Sequence, residues 1–270
     1  MRTAHRVAGH VARKRFGQHF LADRSVVAAI VAAVDPREGQ IIVEIGPGLA
    51  ALTAALMERV PHLHAVEIDR DLASRLRRRW GPERLSLHES DALRFDFGSI
   101  AAAGGTAGLL RLVGNLPYNI SSPLLVHLLA YRQRVDDQHF MLQKEVVDRI
   151  VAPPGSTDFG RLSVLMQAYY EVEALFDVPP RAFDPPPKVD SAVVRMLVRR
   201  DVAGADPAPL QRLLATGFSQ RRKMIRKTLL PWLAGRGLQG CDLDPTLRPE
   251  DLDVATWVEL AARLERPGPA

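Results

Sequence analysis

The chain has 270 residues, 47% of them hydrophobic and 25% charged, the make-up of an ordinary globular protein of one large or two modest domains. Its formal charge is +5 with a pI near 9.7, and no apolar run approaches the roughly 20 residues that span a membrane. Cys241 is the one cysteine, which excludes an internal disulfide, and the basic start lacks the apolar core of a secretory signal, so a cytoplasmic protein is expected.

Residues 1–15 carry Arg13, Lys14 and Arg15 without apolar periodicity and are expected to form a flexible basic arm. Asp23 then caps a predicted helix whose apolar positions Val26, Val27, Ile30, Val31 and Val34 keep helical spacing until Pro36 and Gly39. A buried strand over 41–45 runs into Gly46-Pro47-Gly48 and a helix over 49–59. Strands are expected at 63–68, 85–88, 109–113 and 138–143, with helices at 70–80 and 144–151 between or after them. Alternation at this spacing indicates βαβ units and a mostly parallel sheet. A helix at 160–168 and late strands at 169–176 and 191–198 follow, flanking a proline-rich stretch over 179–188. Residues 203–209 read as a linker, and 210–218, 222–233 and 251–264 as helices, so domains are expected at 1–200 and 201–270.

Asn115-Leu116-Pro117-Tyr118 follows the fourth strand and is an odd connection. Asn115 offers a side-chain acceptor, Pro117 biases Leu116 towards an extended backbone, and Tyr118 supplies a flat face for a planar ring. Acceptors in line with a stacking platform suit an aromatic amine. Ser121 or Ser122 is expected to cap the next helix, with Pro123 at its first position. At the first strand–helix junction, the glycines of Gly46-Pro47-Gly48 let the backbone approach a ligand. Ala51 stands where a dinucleotide fingerprint has its third glycine. Glu67 lies about 20 residues on, where a ribose diol is held, and Asp91 after the third strand can accept from an adenine amine. No Walker lysine loop is present, and a nucleoside cofactor lacking pyrophosphate, S-adenosylmethionine, fits best. No residues have metal-ligand spacing; His62 and His64 read as structural. Basic clusters at 13–15 and at Arg221-Arg222-Lys223 suit nucleic acid, whereas 75–79 reads as a solvated helix face.

Assembled, these stretches resemble the ribosomal RNA adenine dimethyltransferases, the bacterial small-subunit (16S) enzymes most of all. The resemblance rests on Lys14-Arg15-Phe16-Gly17-Gln18-His19-Phe20-Leu21, Glu44-Ile45-Gly46-Pro47-Gly48, Asn115 to Pro123, Met141-Leu142-Gln143-Lys144-Glu145, Pro179 to Ser191, and Gln220 to Lys223. It implies a Rossmann-like class I methyltransferase domain with one late antiparallel strand, followed by a small helical RNA-binding domain. It implies S-adenosylmethionine at His19, Leu21, Gly46, Glu67, Asp91 and Asn115, with the His19 backbone mattering more than its ring. The target adenine would lie against Asn115, Leu116, Pro117 and Tyr118, with Phe183 on its other face. RNA would meet Arg13, Lys14, Arg15, Arg221, Arg222 and Lys223. The implied activity is dimethylation of two adjacent adenines in the 3′-terminal hairpin of small-subunit rRNA, with a part in ribosome biogenesis. The enzyme would act as a monomer without metal or membrane. The alternatives are large-subunit rRNA dimethylation of the antibiotic-resistance type and a non-catalytic assembly factor.

Overall fold

The computed structural model describes residues 6–7, 9–11, 13, 17–103, 108–202, 206–238 and 242–265; Lys14, Arg15, Phe16 and Cys241 lie outside them. The chain divides into two compact units, Met1–Val147 with Glu173–Val198, and Asp148–Val172 with Arg199–Ala270. The expected boundary at 200 therefore shifts. The segment 148–172 joins the second unit because its helix packs on the late helices.

In the first unit, β1 (Arg6–Val7) and β2 (His10–Val11) form a small antiparallel hairpin turning at Gly9, φ 76°. Part of the expected flexible arm is thus paired; strands two residues long leave no periodicity to read. β3 (Phe20–Leu21) precedes α1 (Arg24–Val34). The Asp23 carboxylate accepts from Ser25 N at 2.8 Å and caps α1, whose Val27, Ile30, Val31 and Val34 are buried. There follow β4 (Ile41–Ile45), α2 (Ala51–Met57), β5 (Leu63–Glu67), α3 (Arg70–Arg79), β6 (Leu85–Glu89), α4 (Phe97–Ala103), β7 (Leu110–Asn115), α5 (Ser121–Leu128) and β8 (Val135–Gln143). After α6 (Lys144–Val151) and α7 (Arg161–Tyr169) come β9 (Tyr170–Val178), β10 (Phe183–Asp184) and β11 (Ser191–Val198).

Seven strands form one sheet in the order β6-β5-β4-β7-β8-β11-β9. The first five are parallel to their neighbours, and β11 runs antiparallel to β8. From β4 the chain steps outward through β5 and β6, then returns to add β7 on the other side. Such a switch point opens a crevice beyond the C-terminal strand ends.

Three local expectations change. β8 begins at Val135 rather than at 138, because the polar side chain of Asp137 is used inside, on Arg111 (two bonds of 3.0 Å and one of 2.5 Å). Arg111 also donates to the last carbonyls of the α1 region, Val34 O at 2.6 Å and Asp35 O at 3.3 Å. At α5, Ser121 is the first helical residue and not the cap. Its hydroxyl bonds Pro117 O at 3.1 Å, Ile120 N closes onto the same carbonyl at 3.1 Å, and Pro123 falls inside the first turn. α4 has no counterpart in the sequence reading.

In the second unit, α7, α8 (Pro207–Gly217) and α10 (Val254–Glu265) pack on one another. Asp206 caps α8 by accepting from Ala208 N at 3.0 Å. Trp257 is fully buried and stacks on Phe218 at 5.4 Å; a Cβ on Gly217 would come within 2.4 Å of its ring. The helix expected over 222–233 is instead a 3-10 turn at Ile225–Lys227 followed by α9 (Leu229–Ala234). The Ile225 N–H is taken by Leu247 O at 2.7 Å, which breaks the helical ladder.

Candidate active site

The crevice at the switch point has a volume of about 310 Å³, and every part of its wall comes from the first unit. β4 delivers Gly46 and Gly48, both at positive φ (71° and 58°), the conformation glycine adopts without strain. Gly46 N is anchored on Val66 O at 2.9 Å. A Cβ on Gly48 would press on the Phe20 ring at 3.2 Å, so the loop stays open to a ligand only as glycine.

β5 delivers Glu67. Its carboxylate accepts from Gly48 N (3.2 Å) and Asp69 N (2.8 Å), which ties the glycine loop to the start of α3. Burial outweighs those two backbone donors and leaves this acid pushed up to about 7. Beyond β6, Asp91 accepts from Leu93 N at 3.0 Å and holds the loop Ser90-Asp91-Ala92-Leu93 along the crevice. Ile68, 44% exposed, forms an apolar wall between Glu67 and that loop. A planar ring edged by polar groups fits between such walls.

The fourth side is Asn115 to Tyr118. Asn115 Nδ2 donates to the His19 carbonyl at 3.0 Å, so its amide is oriented and its Oδ1 is left as an acceptor. Leu116 N bonds Met141 O at 3.1 Å, and its carbonyl has no donor among the described residues. The Tyr118 hydroxyl shares a 2.7 Å hydrogen bond with Ser191 Oγ, and its ring stacks on His19 at 5.7 Å and 24°. Burial raises the phenol's pKa, so Tyr118 stays neutral. The His19 ring is held by Pro185 O at 2.8 Å.

His19, Leu21, Gly46, Glu67, Asp91, Asn115, Leu116, Pro117 and Tyr118, all expected from sequence, thus line one crevice. Phe183 does not. It is 4% exposed, belongs to an apolar cluster with Leu21, Val27 and Val31, and pairs through its backbone with Leu21. Its ring is core, not wall. Arg13 is also engaged, with Asp69 at 3.0 Å and Asp71 at 2.5 Å. In the second unit Arg221 bonds Thr157 O and approaches Glu250 at 3.7 Å, while Arg222 and Lys223 are exposed.

Among the crevice residues missed in sequence are Gln18 and Glu44. Gln18 donates to Asp69 at 3.1 Å and accepts from Arg13 N at 2.8 Å, pinning the segment before β3. Glu44 is 2% exposed at the crevice floor and is pushed up to about 8 by burial. Only its place two residues before the first glycine marked it. Among the described residues no cluster could hold a metal ion, and no helix is long and apolar enough to cross a membrane.

A family model described as ribosomal RNA adenine dimethylase matches residues 9–265. The chain belongs to that family. A "ribosomal RNA small subunit methyltransferase A" from Dechloromonas aromatica is 54% identical over 255 residues, covering 94% of this chain and 98% of the relative. One from Methylibium petroleiphilum is 56% identical over 255 residues, covering 94% and 97%. A solved dimethyladenosine transferase from Plasmodium falciparum shares the fold, with a TM-score of 0.75 over 90% of this chain and 96% of that one at 23% identity. This dimethylase is therefore an S-adenosylmethionine-dependent methyltransferase with a Rossmann-like α/β domain. The crevice fits that cofactor: a glycine cradle that a Cβ would fill, and a carboxylate held for a diol.

Proposed function

We propose that this enzyme dimethylates the exocyclic amines of two adjacent adenines in the 3′-terminal hairpin of small-subunit (16S) rRNA. The observation that carries the reading is the hydrogen bond from Asn115 Nδ2 to the His19 carbonyl, because it commits the other end of the amide to accepting. The names of the two bacterial relatives support the small subunit over the large one.

Glu67 takes the ribose diol, Asp91 the adenine amine of the cofactor, and Ile68 and Leu93 bracket its base; His19, Leu21 and Gly46 complete the cradle. When bound, S-adenosylmethionine supplies the methyl group as an electrophilic sulfonium. The amine of a target adenine is a poor nucleophile, since its lone pair is delocalised into the ring. In the first transfer Asn115 Oδ1 and the Leu116 carbonyl accept its two N–H bonds, in the second one of them accepts the N–H that remains, and each time they favour a tetrahedral nitrogen whose lone pair is freed. Pro117 keeps Leu116 extended, and Tyr118 replaces the stacking the base loses on leaving its helix. This is positioning and electrostatic preorganisation with no general base required: S-adenosylhomocysteine would be the leaving group, and the methylated nitrogen sheds its proton to solvent after transfer. Guanine would present a carbonyl to two acceptors and be rejected.

Phe183 supports the β3 side of the crevice through its pairing with Leu21. Arg222 and Lys223, both exposed, bind rRNA phosphate, and Lys14 and Arg15 are candidates for the same role. The working unit is taken as a monomer, and an rRNA substrate supports a cytoplasmic place and a part in small-subunit assembly. Labelled methyl transfer to under-methylated small subunits, with primer-extension mapping, tests the reading. Two adjacent stops in the 3′ hairpin are expected; labelling confined to large-subunit RNA would overturn it.

A further inference from the structure

Glu44 sits at the centre of the sheet, opposite Ala65 of β5 and Val113 of β7, which are 0% and 1% exposed. Thr53 faces it from α2 and favours the ionised form somewhat, yet neither Glu44 Oε2 nor Thr53 Oγ1 has a hydrogen-bond partner. The charged group that faces it is Glu67, from the end of β5, and that is another acid. His19 and Asp91 line the same crevice. The two buried carboxyls are therefore treated differently. Burial and a like-charged neighbour work against both, Asp69 beside Glu67 and Glu67 beside Glu44, but Glu67 has two backbone N–H donors to hold an anion where Glu44 has only Thr53.

We propose that Glu44 is a proton-coupled positioning residue for the cationic cofactor: neutral in the empty crevice, it ionises when S-adenosylmethionine binds, and its proton passes to solvent. The sulfonium makes S-adenosylmethionine one positive charge richer than the S-adenosylhomocysteine left after methyl transfer. The anionic form of Glu44 is thus favoured before transfer and loses part of that support afterwards. Proton uptake by Glu44 then goes with product exchange, which each target adenine requires between its two methylations. The inference rests on S-adenosylmethionine being the ligand of this crevice.

Calorimetric titration of the full chain with S-adenosylmethionine near pH 7.5, in buffers of different ionisation enthalpy, tests it. Wild type should release about one proton per cofactor bound, and its affinity should rise by up to about tenfold per pH unit between pH 6 and 8. Release should be smaller with S-adenosylhomocysteine and absent in Glu44→Gln. Binding without buffer-dependent heat would overturn the proposal while leaving the cofactor reading intact; no binding at all would overturn that reading. Release that persists in Glu44→Gln and vanishes in Glu67→Gln would assign the proton to Glu67 and overturn the proposal as well. If Glu44→Gln binds too weakly to titrate, the cofactor-free melting temperature decides. A carboxyl raised on folding stabilises below its unfolded pKa, and that stability is lost as pH rises towards 8. Wild type should therefore lose stability from pH 6 to 8 relative to Glu44→Gln; parallel curves would refute the proposal.

Discussion

Asn115 carries two duties through opposite ends of one amide, and its variants separate them. Asn115→Ala should lower methyl transfer by about 10²–10³-fold, the scale of losing one preorganised polar contact, while S-adenosylmethionine affinity measured by calorimetry falls far less. Comparable losses in both would move Asn115 from the chemistry to the cofactor. At Gly48, alanine meets both a positive φ of 58° and the Phe20 ring at 3.2 Å, so Gly48→Ala should weaken cofactor binding by about 1–3 kcal/mol of strain. Phe183→Ala should open a core cavity costing about 3–5 kcal/mol in urea unfolding and reduce cofactor and RNA turnover together. A selective loss of RNA turnover in a stable variant would restore the stacking role expected from sequence. Most of the crevice was legible because its residues stand at strand ends, where spacing alone places them. Phe183 was not: a lone aromatic among prolines carries no period, and only its backbone pairing with Leu21 shows which way it is spent.

The strands and helices of the parallel sheet were readable from apolar runs, and the short elements were not. β3 and β10 are two residues each, and their partners lie far apart in the chain. The same holds for polar side chains inside the sheet. Burial raises the cost of ionising Asp137, yet the His139 ring 3.7 Å away and the bonds from Arg111 more than offset it and hold the acid low. Arg111→Met would strand that carboxylate and cost about 3–5 kcal/mol, whereas Arg111→Met with Asp137→Leu should recover much of it in chemical denaturation. His62 just before β5, His64 on β5 and His88 on β6 gather with Phe95, His64 and His88 stacking at 5.7 Å. Burial, with His62 and His88 adding repulsion, lowers His64 to about 4, and burial lowers His88. A depressed histidine stabilises above its unfolded pKa of about 6.5, and that stability is lost as pH falls from there towards 4. His64→Leu should flatten this acid limb in urea melts at pH 5 and 7; an unchanged slope would put the acid sensitivity elsewhere.

At the scale of the molecule, a charge of +5 says little until its positions are known. Arg13 and Arg221, both in clusters that pointed to nucleic acid, are held by Asp69 and Asp71 and by Thr157 and Glu250. Arg222 and Lys223 are exposed. Replacing each of these two by Gln should lower the slope of log affinity for rRNA against log salt by about 0.7–0.9. Arg221→Gln should act more on the stability of the second unit than on that slope. The domain boundary was the least legible feature. Residues 148–172 look in sequence like one more helix of the sheet domain, and only their packing assigns them to the second unit. That interleaving dictates the order in which a nascent chain can become an enzyme. β8 is complete at Gln143, but the strand that pairs along it, β11, is not made until Val198. During synthesis β8 must therefore wait with an unpaired edge, open to wrong partners. The crevice likewise lacks its β3–β10 brace until Phe183 has emerged, so the Leu21 side of the cofactor site gains its backbone support late in synthesis.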